Sequence, residues 1–228
     1  EQGGLDYWSN LINECHNNAA CIHARRIDVA AAFFVEEEFQ RTGSFIYGLY
    51  KAGLGRQPLY AEFAADRRIV VGGSDLEDQK AAFADEFVQR TAFVDQYKTS
   101  STAESFVDAL LQTVQQSAGV DLSAERTGLV NRYNSGDSLH RRRSLVLSAV
   151  AENSLFTAAE YNAAFVLAEY FGYLQRDPEP EGYAFWLDVL NNRAPGNYRG
   201  MICSFITSTE YQRRFSSVVT HSNSECAQ

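Results

Sequence analysis

The sequence has little that would break a helix or stretch the chain. Four prolines occur in 228 residues, Pro58, Pro178, Pro180 and Pro195, so long apolar-periodic segments run unbroken between them. Long hydrophobic runs are missing, which excludes a membrane-spanning helix. Positive charge is in deficit: the formal net charge is -9, and the densest basic cluster is Arg141-Arg142-Arg143 beside His140. A nucleic-acid partner needs a wider basic face and is not expected. The arginine triplet reads instead as a solvated helix start with acidic partners nearby. No Gly-x-Ser-x-Gly elbow, Gly-rich phosphate loop or His-Glu-x-x-His occurs, and the four histidines (His16, His23, His140 and His221) lie in polar surroundings. No catalytic residue, cofactor or bound metal is expected, so the chain reads as a non-enzyme. Asn-x-Ser/Thr sequons are also absent.

Apolar residues make up 45% of the chain and charged residues 21%, the balance of a globular protein rather than a disordered one. Aromatics are plentiful, with 15 Phe, 12 Tyr and 2 Trp against a single Met, which predicts a stiff aromatic core. The four cysteines are even in number and form no Cys-x-x-Cys pair, which predicts disulfides. Cys15 and Cys21 flank a short polar loop, and Cys203 with Cys226 would tie the tail back onto the last helices. Zinc on Cys15, His16, Cys21 and His23 is the competing reading, but that spacing is not a zinc finger's, and adjacent Cys15 and His16 poorly serve one ion. Reduced structural cysteines are the third. Disulfides imply an oxidising, extracellular or cell-surface location. The opening Glu1-Gln2-Gly3-Gly4 lacks a signal peptide and reads as a processed or trimmed start.

Apolar residues recur at helical spacing, as in Phe106, Val107, Leu110, Leu111 and Val114, or Phe165, Val166, Tyr170, Phe171 and Leu174. Roughly ten helices are expected. Asp75, Thr102, Asp121, Ser123 and Asp137 stand where helix N-termini need acceptors. Only Arg68–Gly73 looks locally strand-like, or simply extended. The acidic turn Asp177, Glu179 and Glu181 lacks EF-hand spacing for calcium; the prolines within it stop one helix and its acids cap the next.

The chain also repeats itself. Gly182-Tyr183-Ala184-Phe185-Trp186-Leu187 matches Gly4-Leu5-Asp6-Tyr7-Trp8-Ser9, and each stretch is followed by a polar interval, an apolar helix and an aromatic-acidic end. That end is Ala31–Gln40 in the first copy and Cys203–Gln212 in the last, with a middle version over Ala84–Phe93. The fold class expected is all-α, tandem helical repeats packed into one domain. Residues 1–43 form an incomplete first repeat, 44–153 diverged middle repeats and 154–215 the last repeat, with 216–228 a tail tied back by a cysteine. The last copy carries Arg176-Asp177-Pro178, Gly182, Phe185-Trp186 and Ser208-Thr209-Glu210-Tyr211-Gln212-Arg213-Arg214-Phe215. With these motifs it resembles the bacterial domain of unknown function 4214. That resemblance implies secreted or surface proteins, often with tandem copies, similar to the helical linker domains of phycobilisomes. It brings no activity and no catalytic residues, and the phycobilisome role is not transferred.

In the first copy, the counterpart of the opening helix Phe165–Arg176 would lie before Glu1. Leu5, Trp8, Leu11 and Ile12 then make an apolar face that needs a cover, because leaving each large side chain bare forgoes about 1.5–3 kcal/mol. A later segment, an upstream segment or another copy in a head-to-tail contact could supply it, and the last two are favoured. Trp8 and Trp186 read as core rings, with sugar stacking as the alternative. The expected function is an extracellular structural or assembly protein, a self-associating subunit of a surface filament or layer. The alternative is a cell-surface binding module, for carbohydrate.

Overall fold

The computed structural model describes residues 2–35 and 37–226, and among these the side chains of 6–29, 32 and 41–226. Thirteen α-helices and no strand occur among the described residues, so the fold is all-α. No helix among them is long and apolar enough to cross a membrane. The chain forms two compact units: one from 1–39 together with 165–228, the other from 40–164.

The second unit holds most of α3 (Glu37–Leu54), then α4 (Tyr60–Asp66), α5 (Leu76–Phe87), α6 (Thr91–Gln96), α7 (Ala103–Ala118), α8 (Arg126–Asn134), α9 (Leu139–Ala151) and the first part of α10 (Ser154–Glu169). Its core is a relay of aromatic rings. Tyr50 meets Phe87 at 4.9 Å, Phe93 meets Tyr97 at 4.6 Å, Tyr97 meets Phe106 at 5.2 Å and Phe106 meets Tyr133 at 5.7 Å. Tilted and edge-on rings of this kind are each worth somewhat more than their buried area alone. α3 lies close against α9, because a Cβ on Gly48 would stand 3.1 Å from the Ala151 Cβ. Thr102 begins α7 by accepting from the Ser105 N–H, and Gly119 ends it at φ 70°. α9 is capped by Ser138, not Asp137.

Two expectations change in this unit. Arg68–Gly73 forms no strand; it is a turn and an extended link closed by left-handed Gly72 and Gly73, with the Val71 N–H donating to Gln79. The arginine triplet is not uniformly solvated. Arg141 pairs with Asp85 at 3.3 Å, but Arg143 is buried, lies over the Phe106 ring and donates to the Tyr97 and Ser100 carbonyls. Its methylene stem and stacked guanidinium fill core space while its charge is met by backbone acceptors.

The first unit holds α1 (Gln2–Asn13), α2 (Ala19–Val35), the end of α10, α11 (Pro180–Asp188), α12 (Tyr198–Ile206), α13 (Thr209–Gln212) and the tail. α1 packs on α2, and α2 packs on α12, so the first repeat is held against the last. α10 passes into a π-helical stretch, Tyr170–Leu174, closed by Gln175 in the left-handed region at φ 49°. A second π-helical stretch, Val189–Arg193, extends α11. Cys15–Cys21 joins the ends of the α1–α2 turn, with Cα atoms 5.5 Å apart; Cys203–Cys226 ties the tail to α12, at 5.7 Å. The zinc reading of Cys15, His16, Cys21 and His23 falls with the first bridge, which consumes both sulfurs.

Candidate functional site

The motif residues of the last repeat turn out to be fasteners. Pro180 stands at the first position of α11. Arg176 grips Glu210 with two bonds of 2.7 and 2.9 Å and pairs with Glu179 at 2.9 Å. The bond to Glu210 raises the Arg176 pKa further, and the same bond holds the Glu210 carboxyl below its ordinary range. The acidic turn is thereby partly neutralised from within. Ser208 caps α13 by accepting from the Tyr211 N–H at 3.1 Å, and the Tyr211 ring rests edge-on against Tyr173 at 5.5 Å. Gly182 lets α11 approach the opening helix, since a Cβ there would stand 2.5 Å from the Tyr170 hydroxyl. Tyr170 is buried, so Gly182→Ala should cost about 1–3 kcal/mol through forced displacement of the ring, measured by thermal unfolding of the purified chain. An unchanged melting curve would show that the approach has slack.

The two tryptophans, expected as core rings, are only partly buried, although the Trp186 ring packs on the buried Phe205 ring at 5.8 Å. Trp186 is half-buried, and no side chain of α11 is fully buried. Trp8, Leu11 and Ile12 are likewise half-buried, while the Leu5 side chain lies outside the described residues. Both copies build the same surface feature. Tyr7 and Trp8 meet at 5.0 Å with planes 75° apart, and Phe185 and Trp186 meet at 5.2 Å with planes 77° apart. Tyr7 is 59% exposed and Phe185 48%. Both helices belong to the same unit, and each leaves one ring of its pair largely exposed.

A cavity of about 510 Å³ opens between α2, α12 and the tail. α2 lines it with Ala20, His23, Ala24 and Ile27, α12 with Arg199 and Cys203, and the tail with His221 and Glu225. The His23 and His221 rings lie nearly parallel, 18° apart with centroids at 5.0 Å. One Glu225 carboxylate oxygen, Oε2, is 2.8 Å from His221 Nδ1 and 3.7 Å from His23 Nε2. The His221 bond, and the Ser222 N–H donating to Oε1 at 2.8 Å, hold the Glu225 carboxyl below its ordinary range. His23 Nε2 is itself buried without a hydrogen-bond partner. On the rim Arg199 is engaged by Asp28 at 2.6 Å. These groups could hold a cation.

Sequence reasoning reached His23 with the wrong partners and missed His221 and Glu225. Both stand in the tail four residues apart, His221 just before the 3-10 turn Asn223–Cys226 that carries Glu225. Their meeting with His23, from the opposite end of the chain, is tertiary and leaves no local trace.

Residues 143–221, about a third of the chain, match the model of a family described as Domain of unknown function (DUF4214). The match takes in every motif residue placed above, from Arg176 to Phe215. No curated protein and no solved structure matches the chain.

Proposed function

We propose that this chain, with its DUF4214 domain over 143–221, is an extracellular, non-enzymatic assembly subunit that joins copies of itself through its two aromatic-pair faces. The observation that carries the reading is the duplicate itself: Tyr7–Trp8 and Phe185–Trp186, the same edge-on pair on two surface helices of one chain. Half-exposed aromatic rings are the residues most often found at the energetic centre of protein interfaces. Two such faces make the protomer bivalent, and contacts that do not close a ring propagate into a filament or layer. Two disulfides favour an oxidising compartment. The motif residues are spent on caps, ion pairs and close packing, which favours a structural over a chemical role.

Carbohydrate binding is the second reading, because exposed aromatics also suit sugars. A pyranose stacks on a flat platform, however, and pairs held at 75° and 77° offer none. The two readings separate by sedimentation velocity and a glycan array. Tyr7→Ser and Phe185→Ser alter exposed rings and should leave the fold intact within about 0.5 kcal/mol. Each should shift the assembled species towards monomer, and the double variant should abolish assembly. Glycan signals lost in both variants, with sedimentation unchanged, would move the function to carbohydrate.

A further inference from the structure

We propose that His23, His221 and Glu225 form a binding site for a divalent transition-metal ion of the zinc class, with its fourth position open to the cavity. This departs from the sequence expectation of no metal. Its starting point is the bare, buried His23 Nε2. A buried polar atom without a partner costs about 1–3 kcal/mol, and such an atom in a folded protein calls for a cause. It faces Glu225 Oε2 at 3.7 Å, too far for a hydrogen bond but close to the spacing of two ligands on one ion. Zinc with ligand bonds near 2.0–2.1 Å in tetrahedral geometry sets its donor atoms roughly 3.3 Å apart. Here the donors of all three residues lie within 4.8 Å of one another, so side-chain rotations of modest size close the site.

The chemistry of the set agrees. Two imidazoles and one carboxylate suit zinc and copper rather than calcium or magnesium, which favour oxygen. Three protein ligands with a free fourth position is an arrangement zinc accepts readily. Outer contacts hold the ligands in place. Gln212 accepts from the His221 N–H and donates to the His221 carbonyl, both at 2.9 Å. The other Glu225 oxygen is occupied by the Ser222 N–H, which leaves Oε2 turned to the histidines. Cys203–Cys226 anchors the tail one residue beyond Glu225, and His23 comes from α2, so separately fastened segments converge on one point. The nearby cation Arg199 is neutralised by Asp28 and does not repel an ion. Ordering of this kind before binding reduces the entropic cost of assembling a site.

The test is isothermal titration of the oxidised full chain with ZnCl2. One ion per chain is expected, with micromolar or tighter affinity. His23→Ala and His221→Ala should each weaken binding at least tenfold, whereas His140→Ala, which alters a histidine in the other unit, should change nothing. Because either site variant could disturb the α2–tail contact, Co2+ is added to the unaltered chain as a second probe; tetrahedral visible absorption that Zn2+ displaces is expected. Calcium at the same concentration should leave zinc binding unaffected. Absence of saturable zinc binding, or zinc affinity in His23→Ala and His221→Ala unchanged from that of the unaltered chain, would overturn the proposal. Assembly through the aromatic faces is measured separately by sedimentation with chelator present, so failure of one reading leaves the other standing.

Discussion

Replacing Arg90 with alanine should cost about 3–5 kcal/mol, because it strands a buried carboxylate. Asp66 is 4% exposed and receives two bonds of 2.8 Å from Arg90. The Tyr50 hydroxyl adds a third at 2.8 Å. Burial works against the Arg90 charge, but its bonds to Asp66 and Glu86 outweigh that and hold its pKa above the ordinary value. The guanidinium also lies 5.0 Å from the Phe87 ring centre and 5.3 Å from that of Phe83, so it closes the aromatic relay as well as the charge. Removing one partner of such a pair costs far more than removing both. The double variant Arg90→Ala/Asp66→Ala should therefore recover a large part of the loss. Both tryptophans belong to the other unit, so tyrosine absorbance and circular dichroism follow this effect while tryptophan fluorescence gives a separate signal. A single-variant loss below about 1 kcal/mol would mean that Asp66 finds water or another cation.

Glu169→Gln should make the chain more stable at neutral and alkaline pH. Glu169 is fully buried at 0% exposure, and neither carboxyl oxygen has a hydrogen-bond partner. Burial pushes its pKa well above the ordinary 4.5. In the folded state the proton stays on, while in the unfolded chain it leaves near pH 4.5. The contribution to stability is thus present in full below that pH. It erodes at about 1.4 kcal/mol per pH unit above it and is gone once pH passes the folded pKa. Glutamine cannot ionise, so the variant should lose this slope; Glu169→Met, which also removes the polar atoms, should lose it too. Urea unfolding followed by tryptophan fluorescence between pH 4 and 9 reads the difference, since Trp8, Trp186 and Glu169 share one unit. Parallel curves for the parent and both variants would contradict a neutral buried Glu169.

Much of the fold was legible because long amphipathic helices write their period into the sequence. The α7 spacing of Phe106, Leu110 and Val114 is an example, and all three are fully buried. The count fell short of thirteen because α4, α6 and α13 have seven, six and four residues, less than the window over which a helical period can be read. The π-helical stretches at Tyr170–Leu174 and Val189–Arg193 were illegible for a related reason. A hydrogen bond that spans one residue more than in the α-helix is set by packing, not by a residue type. The cysteine bridges could be read from number and spacing. The partial exposure of Trp8 and Trp186 was not legible because an apolar helical face looks the same in sequence whether it is wholly or half covered. Arg143 was misplaced because a triplet of like charges hides which member turns inward. The His23–His221–Glu225 cluster depends on the packing of α2 against α12, which no local pattern encodes.

Multi-angle light scattering of the native chain tests self-association most directly. Measured over a hundredfold range of concentration, with both disulfides intact, the mass should climb in steps above the 25.5 kDa protomer. The Tyr7→Ser/Phe185→Ser variant should stay at the protomer mass throughout. A native chain that remains at 25.5 kDa across the whole range would contradict assembly through these faces.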